Sequence, residues 1–416
     1  MKERTVRVMK PLLLLLVCVA LFMVTPIRIA GRAQTARLVV PSPPGGSRPV
    51  RLAKPRIPSL PEAQWTDVHR KLVAKYVTDG HAGNDIKTLL NIPELVDGTM
   101  PFQNYITRES SLSPRHREIL ILRTGWLLNN DYVWGEHAAI ARNAGLTTDE
   151  IRRIAQGPNA KGWDPVEATL LRLADQLFRN SSVTDATWKA LSASYDMYHL
   201  MDAVMTVTDF TTTSLLYNSM GVQPDREFTD HIPADIPYRV VVPAREAALN
   251  VARVQPLEGR GIAIGRTFAN YPKLSAPRST GSNYVNSKSK LDPRYRELLI
   301  LRTGWDCQAE YEWAQHVGNV GRAREKGLDP MKIAWGPTAT GWDPFEVVLL
   351  NAADEPYRDS VISDRTWNAM AARFDNTMLI NATITAANYR MVSMALNALG
   401  VQIEPETPER FPTLSR

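Results

Sequence analysis

Residues 291–316 read LDPRYRELLILRTGWDCQAEYEWAQH, and residues 112–137 read LSPRHREILILRTGWLLNNDYVWGEH. The two stretches lie 179 positions apart, and the same offset relates residues well outside them. The further pairs are Pro93 with Pro272, Trp163 with Trp342, Glu167 with Glu346, Asp175 with Asp354, Trp188 with Trp367 and Gly221 with Gly400. One long period that occurs twice predicts two duplicated domains rather than a solenoid of short repeats. No insertion or deletion is expected between these anchors.

Helix signals dominate both copies of the repeat. Pro114 and Pro293 each follow a side chain that can cap a helix, and proline is favoured at the first helical position. The apolar runs that come next have little polar interruption, which is typical of a helix buried on most sides. Gly145 and Gly327 are predicted to end the following helix. Strand signals are nearly absent, with residues 240–242 the only candidate, so both domains are predicted to be all-α.

The composition divides the chain into six segments. We predict a signal peptide at residues 1–33, a proline-rich lead-in at 34–60, a first domain at 61–223, a linker at 224–247, a second domain at 248–403 and a polar tail at 404–416. The lead-in is expected to be mobile or to follow the surface. The tail is expected to pack over the surface or on a neighbouring subunit.

The N-terminus has the layout of a secretory leader, with basic residues before the apolar run 11–26 and small residues after it. Cleavage is predicted after Ala33; a membrane anchor through residues 11–26 is the alternative, although this run is shorter than the ~20 residues that span a bilayer. Residues 1–33 account for +5 of the net charge of +6, so the rest of the chain gives no case for nucleic acid or anionic lipid partners. Beyond the leader only Cys307 remains, which excludes an intramolecular disulfide.

In each copy a glutamate lies 19 residues before a histidine, Glu118 before His137 and Glu297 before His316. A turn between the two positions places them on adjacent helices. A carboxylate beside an imidazole orients the ring and raises its basicity, which is the basic form of a general acid–base pair. Glu312 lies one helical turn before His316 and adds a second carboxylate on the same helix face.

The first copy differs around this pair. It has Val133 in place of the second carboxylate, and its additional acid, Glu136, is expected to point away from the neighbouring His137. We therefore expect activity mainly in the second copy. The alternative is a structural pair, because duplication preserves structural contacts as faithfully as catalytic ones.

Three further residues of the second copy are candidates for substrate binding. Arg302 is interpreted either as a clamp for a substrate carboxylate or as a partner in an ion pair within the fold. Tyr311 and Trp313 are expected to line a pocket, although core packing is the alternative for aromatic side chains.

At these residues the sequence resembles the carboxymuconolactone decarboxylase family, in the superfamily that includes alkyl hydroperoxidase D. The motifs are L-x-P-R-x-R-E-x-L-I-L-R-T-G-W, then Y-E-W-x-x-H at 311–316 and Y-V-W-G-E-H at 132–137, together with the G-W-D-P-x-E pieces and the N-x-x-G-V endings. The likeness covers residues 60–223 and 250–402. It implies compact all-α domains that assemble into trimers or hexamers with sites near subunit contacts, so a homotrimer of two-domain chains is expected here.

The hydroperoxidase branch of this superfamily uses a glutamate, a C-x-x-C pair and a histidine. At the cysteine positions this chain has Ala309 and Glu312 in the second copy, and Asn130 and Val133 in the first. Dithiol peroxidase chemistry needs two thiols. A one-cysteine peroxidase using Cys307 stays open as an alternative.

The resemblance implies decarboxylation of a carboxy-lactone, which leaves a dienolate that an acid must protonate. We predict an exported enzyme acting on a small carboxylated molecule, with His316 as general acid or base, Glu297 orienting it and Glu312 as a second acid. Glu118 and His137 are the corresponding candidates in the first copy. Neither a metal nor a cofactor is predicted. The alternatives are a peroxidase-type activity and a non-catalytic oligomeric scaffold that binds a small molecule.

Overall fold

The computed structural model describes residues 47–78 and 80–412. The predicted signal peptide, residues 34–46 of the lead-in and the last four residues lie outside this described part. No strand is assigned within it, and residues 240–242, the candidate strand, are irregular. The described chain is all-helical, as predicted. None of the helices found in residues 47–412 is both long and apolar enough to cross a bilayer.

The helices fall into two series that correspond in order. The first series is α1 (Asp67–Tyr76), α2 (Asn84–Leu89), α3 (Pro93–Asn104), α4 (Pro114–Leu127), α5 (Asp131–Asn143), α6 (Thr148–Gln156), α7 (Pro165–Asn180), α8 (Asp185–Ser192) and α9 (Met197–Met220). The second series is α10 (Ala263–Phe268), α11 (Pro272–Asn283), α12 (Pro293–Asp306), α13 (Glu310–Val317), α14 (Pro330–Trp335), α15 (Pro344–Asp359), α16 (Asp364–Ala371) and α17 (Asn376–Leu399). Helices α2 to α9 therefore match α10 to α17, and α1 precedes the duplicated set.

The predicted helix starts are confirmed at α4 and α12. Ser113 accepts a hydrogen bond from the backbone N–H of His116, and Asp292 accepts one from Arg294. These caps satisfy amide groups that the first turn of a helix leaves without partners. Both helices are buried from their second turn onward, so the long apolar runs lie inside the protein on all sides.

Helices α5 and α13 end at different places. Helix α5 runs to Asn143 and is followed by Gly145, as predicted, but α13 already ends at Val317. Gly318 and Gly321 follow, and each glycine disfavours helix by about 1 kcal/mol relative to alanine. Residues 318–328 consequently form a series of turns. The prediction that Gly327 ends this helix is therefore wrong, while the 179-residue offset holds again where α14 ends at Trp335.

The two repeats share one hydrophobic core. Helices α9 and α17, of 24 residues each, are buried along nearly their whole length and pack against each other. Helix α3 packs against α11 in the same way. Thr212 donates a hydrogen bond to the carbonyl of Ala387, which links α9 to α17 directly. The repeats are therefore halves of one packed body, and residues of one half can reach cavities of the other.

The segment after each repeat's last helix folds back onto that repeat. Asp225 accepts the N–H of Asn84 at the start of α2, and Glu404 accepts the N–H of Ala263 at the start of α10. These two acids are themselves 179 positions apart. Glu404 is buried, so the predicted polar tail begins with a residue of the core, and Phe411 then packs on Trp305 and Trp313.

Candidate functional site

The first repeat brings Glu118 of α4 against His137 of α5. The Nδ1 of His137 lies 2.7 Å from Oε2 of Glu118, and both side chains are buried. Asn129, in the left-handed conformation with φ of 52°, forms the turn that lets α5 fold back on α4. The spacing of 19 residues therefore places the pair face to face, as predicted from the sequence. Because Glu118 holds Nδ1, the Nε2 atom is the ring nitrogen left for other contacts.

A cavity of about 500 Å³ adjoins this pair. Both Glu118 and His137 line it, together with Tyr132, Glu136 and Tyr217. The carboxylate of Glu136 lies on the same side, with Oε2 at 3.9 Å from Nε2 of His137 and the side chain 41 % exposed. The expectation that Glu136 points elsewhere is wrong, because the end of this side chain folds back over the ring.

Charge and burial shift the proton affinities in this cavity. Glu136 lies in the concave wall of the cavity, and part of its side chain meets solvent. Desolvation and the negative charge of Asp85 nevertheless raise its pKa to about 7. For His137, burial disfavours the imidazolium, but the attraction and hydrogen bond of Glu118 outweigh it and the pKa of His137 is raised. The cavity thus places a carboxyl group that titrates near neutrality beside a histidine that favours its protonated form.

Two further acids, missed by the sequence interpretation, lie at the wall of the cavity. The hydroxyl of Tyr132 is 2.7 Å from Asp85 and 2.9 Å from Asp225. A phenol has one proton to donate, so both carboxylates compete for it. Burial raises the pKa of Asp85. The hydrogen bonds from Tyr132 and Tyr217 lower it, but burial has the larger effect. Asp225 could have been found from the sequence, because it lies 179 residues before Glu404 and so is an acid present in both repeats.

The second repeat brings all three predicted catalytic residues together. The Nδ1 of His316 lies 2.5 Å from Oε1 of Glu297, and its Nε2 lies 2.8 Å from Oε1 of Glu312. All three side chains are buried. Both nitrogens of this ring are therefore bound by carboxylates of the protein itself, which differs from the single short contact of His137.

The turns at residues 318–328 cover this second cluster. Lys326 extends its ammonium group to Oε2 of Glu297, at 2.7 Å, and to the carbonyl of Gly321. A Cβ atom at Gly321 would overlap both Glu297 and His316, so the backbone packs directly on the pair. Burial opposes the charge on His316, but Glu297 and Glu312 outweigh it and raise the pKa of His316 to about 10. The cluster is a closed network of ion pairs.

The three side chains predicted to bind substrate are used within the fold. Arg302 forms two hydrogen bonds with Asp354, at 2.5 and 3.1 Å, and two more with backbone carbonyls. Trp313 is buried against Trp305 and Phe411. Tyr311 donates to Glu404, and it borders a separate cavity of about 340 Å³ beside the linker. Arg302 is therefore a partner in an ion pair within the fold, and Trp313 is a core residue, which were the alternatives to substrate binding.

We expect Arg302→Met to lower the free energy of unfolding by about 3–5 kcal/mol, because it leaves the carboxylate of Asp354 without its partner. Urea denaturation measures this loss. Arg365→Met, at an exposed position, is the matched control and should change stability by less than about 0.5 kcal/mol. Equal stability of the two variants would contradict the structural role of Arg302.

Cys307 lies away from both clusters and is fully buried. Burial raises the pKa of its thiol to about 11, so the reactive thiolate is a minor species at neutral pH. These properties count against the one-cysteine peroxidase alternative.

One group of three side chains among residues 47–412 has the spacing of a metal site. Ligand atoms of His116, Asp164 and Glu167 lie within 4.8 Å of one another. Each is already engaged, since Glu167 binds Arg115, Asp164 caps α7, and Nδ1 of His116 is hydrogen-bonded to Tyr195. We assign no metal to this group.

The comparison with family models agrees with the resemblance noted in the sequence, within the first repeat. Residues 93–176 match the model of the carboxymuconolactone decarboxylase family. The chain is similar to the structure of a peroxidase-related protein with an alkylhydroperoxidase AhpD core from Ralstonia eutropha JMP134, with 21 % identity over 42 % of this chain and 94 % of that one, and a TM-score of 0.38. It is also similar to a peroxidase-related protein from Silicibacter sp. TM1040, with 17 % identity over 45 % of this chain and 97 % of that one, and a TM-score of 0.37. No curated protein matches the chain.

Proposed function

We propose that the first repeat, in which residues 93–176 match the model of the carboxymuconolactone decarboxylase family, catalyses proton transfer on a small carboxylated carbonyl or lactone compound. The observation that supports this most is the placement of His137. Its Nδ1 is held by Glu118 while the ring lines a cavity of about 500 Å³. A histidine fixed at one nitrogen and accessible at the other is the arrangement that general acid–base catalysis requires.

The proposed reaction balances without an oxidant or reductant. When the bond from carbon to the leaving carboxylate breaks, its electron pair passes to the carbonyl oxygen and carbon dioxide departs, leaving an enolate. Protonated His137 gives its Nε2 proton to the enolate carbon, and the neutral ring recovers a proton from solvent in the cavity. Glu136, whose pKa of about 7 leaves part of the population protonated at neutral pH, donates a hydrogen bond to the enolate oxygen in its protonated form.

This proposal moves the active site from the second repeat, where the sequence placed it, to the first. His316 has a carboxylate within 2.8 Å of each ring nitrogen and lies beneath residues 318–328. A ring bound at both nitrogens holds its proton too firmly to deliver it. We infer that Glu297, Glu312 and His316 form a structural counterpart of the catalytic pair.

The proposal is tested by exchange of carbon-bound protons in D₂O. Protonating an enolate and removing a proton from carbon beside a carbonyl are the same step in opposite directions, so a probe such as 4-oxopentanoate reports it. We expect the full chain to accelerate exchange of the protons next to the ketone, measured by proton NMR, beyond free imidazole at the same concentration. Exchange no faster than imidazole would favour the binding scaffold instead.

Export and assembly into a trimer of two-domain chains remain proposals that rest on the leader sequence and the family resemblance. A protein recovered outside the cytoplasm with Gln34 as its first residue, and a mass of three chains in solution, would support them. A retained leader or a monomer would refute the corresponding proposal.

A further inference from the structure

A second, smaller cavity of about 50 Å³ lies at the inner end of the first. Met100, Gln103 and Tyr217 line both cavities, so the two cavities are neighbours that share one wall. Its walls come from α3 and α9 of the first repeat and from α11 and α17 of the second. The candidate active site therefore extends to the contact between the two repeats.

Three polar side chains that line this inner cavity have atoms without hydrogen-bond partners. They are Nε of Arg278, Oδ2 of Asp209 and Nδ2 of Asn388. Their residues are 9 %, 8 % and 4 % exposed, so each is more than nine-tenths buried. Buried polar groups are nearly always hydrogen-bonded, because an unpaired one loses its hydration without compensation. Three residues of one cavity wall therefore have unused hydrogen-bonding capacity, which a polar ligand group could satisfy.

Arg278 determines the charge of that ligand group. Its guanidinium lies over the ring of Phe268 at 4.0 Å, and the negative charge of Glu312 also acts on it. Burial lowers the pKa of Arg278 to about 10, so it remains a cation at neutral pH. Burial raises the pKa of Asp209 to about 7, so part of its carboxyl population is protonated at neutral pH. Arg278 is therefore the one cation among the described residues that line the inner cavity.

The rest of the inner wall is mostly apolar. It includes Leu89, Phe102, Leu216, Val285, Ile384 and Met391. The repeat counterpart of Arg278 is Thr99, which also lines the cavity, so the cation is present on one side only. An apolar passage that ends in a single cation suits a carboxylate carried on a short apolar stem.

We propose that Arg278, contributed by the second repeat, binds the carboxylate of a ligand whose apolar stem fills the inner cavity and whose other end lies beside His137 of the first repeat. This inference rests on the proposed function, and it names the feature of the substrate that the site selects. On this proposal the active site of the first repeat is incomplete without α11 of the second.

The test compares binding of hexanoate and hexan-1-ol to the full chain by isothermal titration calorimetry. These probes share the apolar stem and differ in the charged group. We expect hexanoate to bind wild type roughly tenfold more tightly or better, because a charged hydrogen bond contributes more than a neutral one. In Arg278→Met, which keeps an apolar stem over Phe268, the affinity for hexanoate should fall by about tenfold or more while that for hexan-1-ol stays within about threefold.

Arg373→Met is the matched control, because Arg373 also lies over a phenylalanine ring, that of Phe345, but outside the cavity. It should bind hexanoate like wild type. Equal affinity of wild type for the two probes, or an Arg278→Met variant that binds hexanoate unchanged, would overturn the inference. If Arg278→Met fails to fold, the wild-type comparison and Arg278→Lys, which keeps the charge and should retain the preference for hexanoate, still decide it.

The binding assay requires no turnover, so the two proposals fail separately. Binding that depends on Arg278 without any proton exchange would leave a carboxylate-binding site with no chemistry. Proton exchange that is unaffected by Arg278→Met, together with unchanged hexanoate binding, would refute only the role of Arg278.

Discussion

The variant His137→Gln is expected to slow exchange of the protons of 4-oxopentanoate by about 100- to 10,000-fold, which is the usual contribution of a positioned acid or base. Glutamine keeps a hydrogen bond to Glu118 but cannot carry the transferred proton. The matched variant His316→Gln changes the corresponding residue of the second repeat. It should leave the exchange rate within about threefold of wild type, because His316 is enclosed by its own carboxylates.

Circular dichroism on both variants distinguishes loss of chemistry from loss of folding. A slow His137→Gln variant that keeps its helical spectrum would place the chemistry at the first repeat. The opposite pattern, with His316→Gln inactive and His137→Gln active, would return the active site to the second repeat as the sequence suggested.

The second large effect is a dependence of stability on pH that originates in His316. Its pKa is about 10 in the folded protein, against 6.5 for an ordinary histidine. A raised folded pKa means that the stabilisation is fully present below pH 6.5 and is lost as the pH rises toward 10. We expect wild type to lose about 3–5 kcal/mol of unfolding free energy across this interval from His316 alone.

Urea denaturation at pH 6.5, 8 and 9.5 measures this loss, with His316→Gln as the reference that subtracts the other titrating groups. The difference between wild type and the variant should shrink steadily as the pH rises. A difference that stays constant would mean that His316 is not held as a cation by Glu297 and Glu312.

Much of the fold could be predicted from the sequence because the sequence contains two copies of the same domain. Side chains that cap α4 and α12, the buried apolar runs and the 179-residue offset together predicted an all-helical protein of two related halves. The shared core was not predicted, because amphipathic patterns show that a helix is buried but not against which partner. Packing of α9 on α17 joins residues far apart in the chain, and no local pattern encodes that contact.

The Glu–His pairs could be predicted because their spacing and the intervening turn are local features. The sequence could not show whether a ligand can reach either pair. The closure of the second cluster depends on Lys326 and on the turns after Val317, where two glycines shorten α13. The role of Glu136 was missed because its position beside His137 on the helix said nothing of how its flexible side chain bends toward the ring.

The central claim is that the first repeat has an imidazole open to a ligand while the second has one locked in ion pairs. Nitrogen-15 NMR of the protein labelled at histidine tests this most directly, with 4-oxopentanoate added across pH 6 to 9. The account predicts that the His137 signals respond to the probe and to pH, while His316 stays doubly protonated and unaffected throughout. Signals of His316 that shift with the probe, beside a His137 that does not respond, would contradict it.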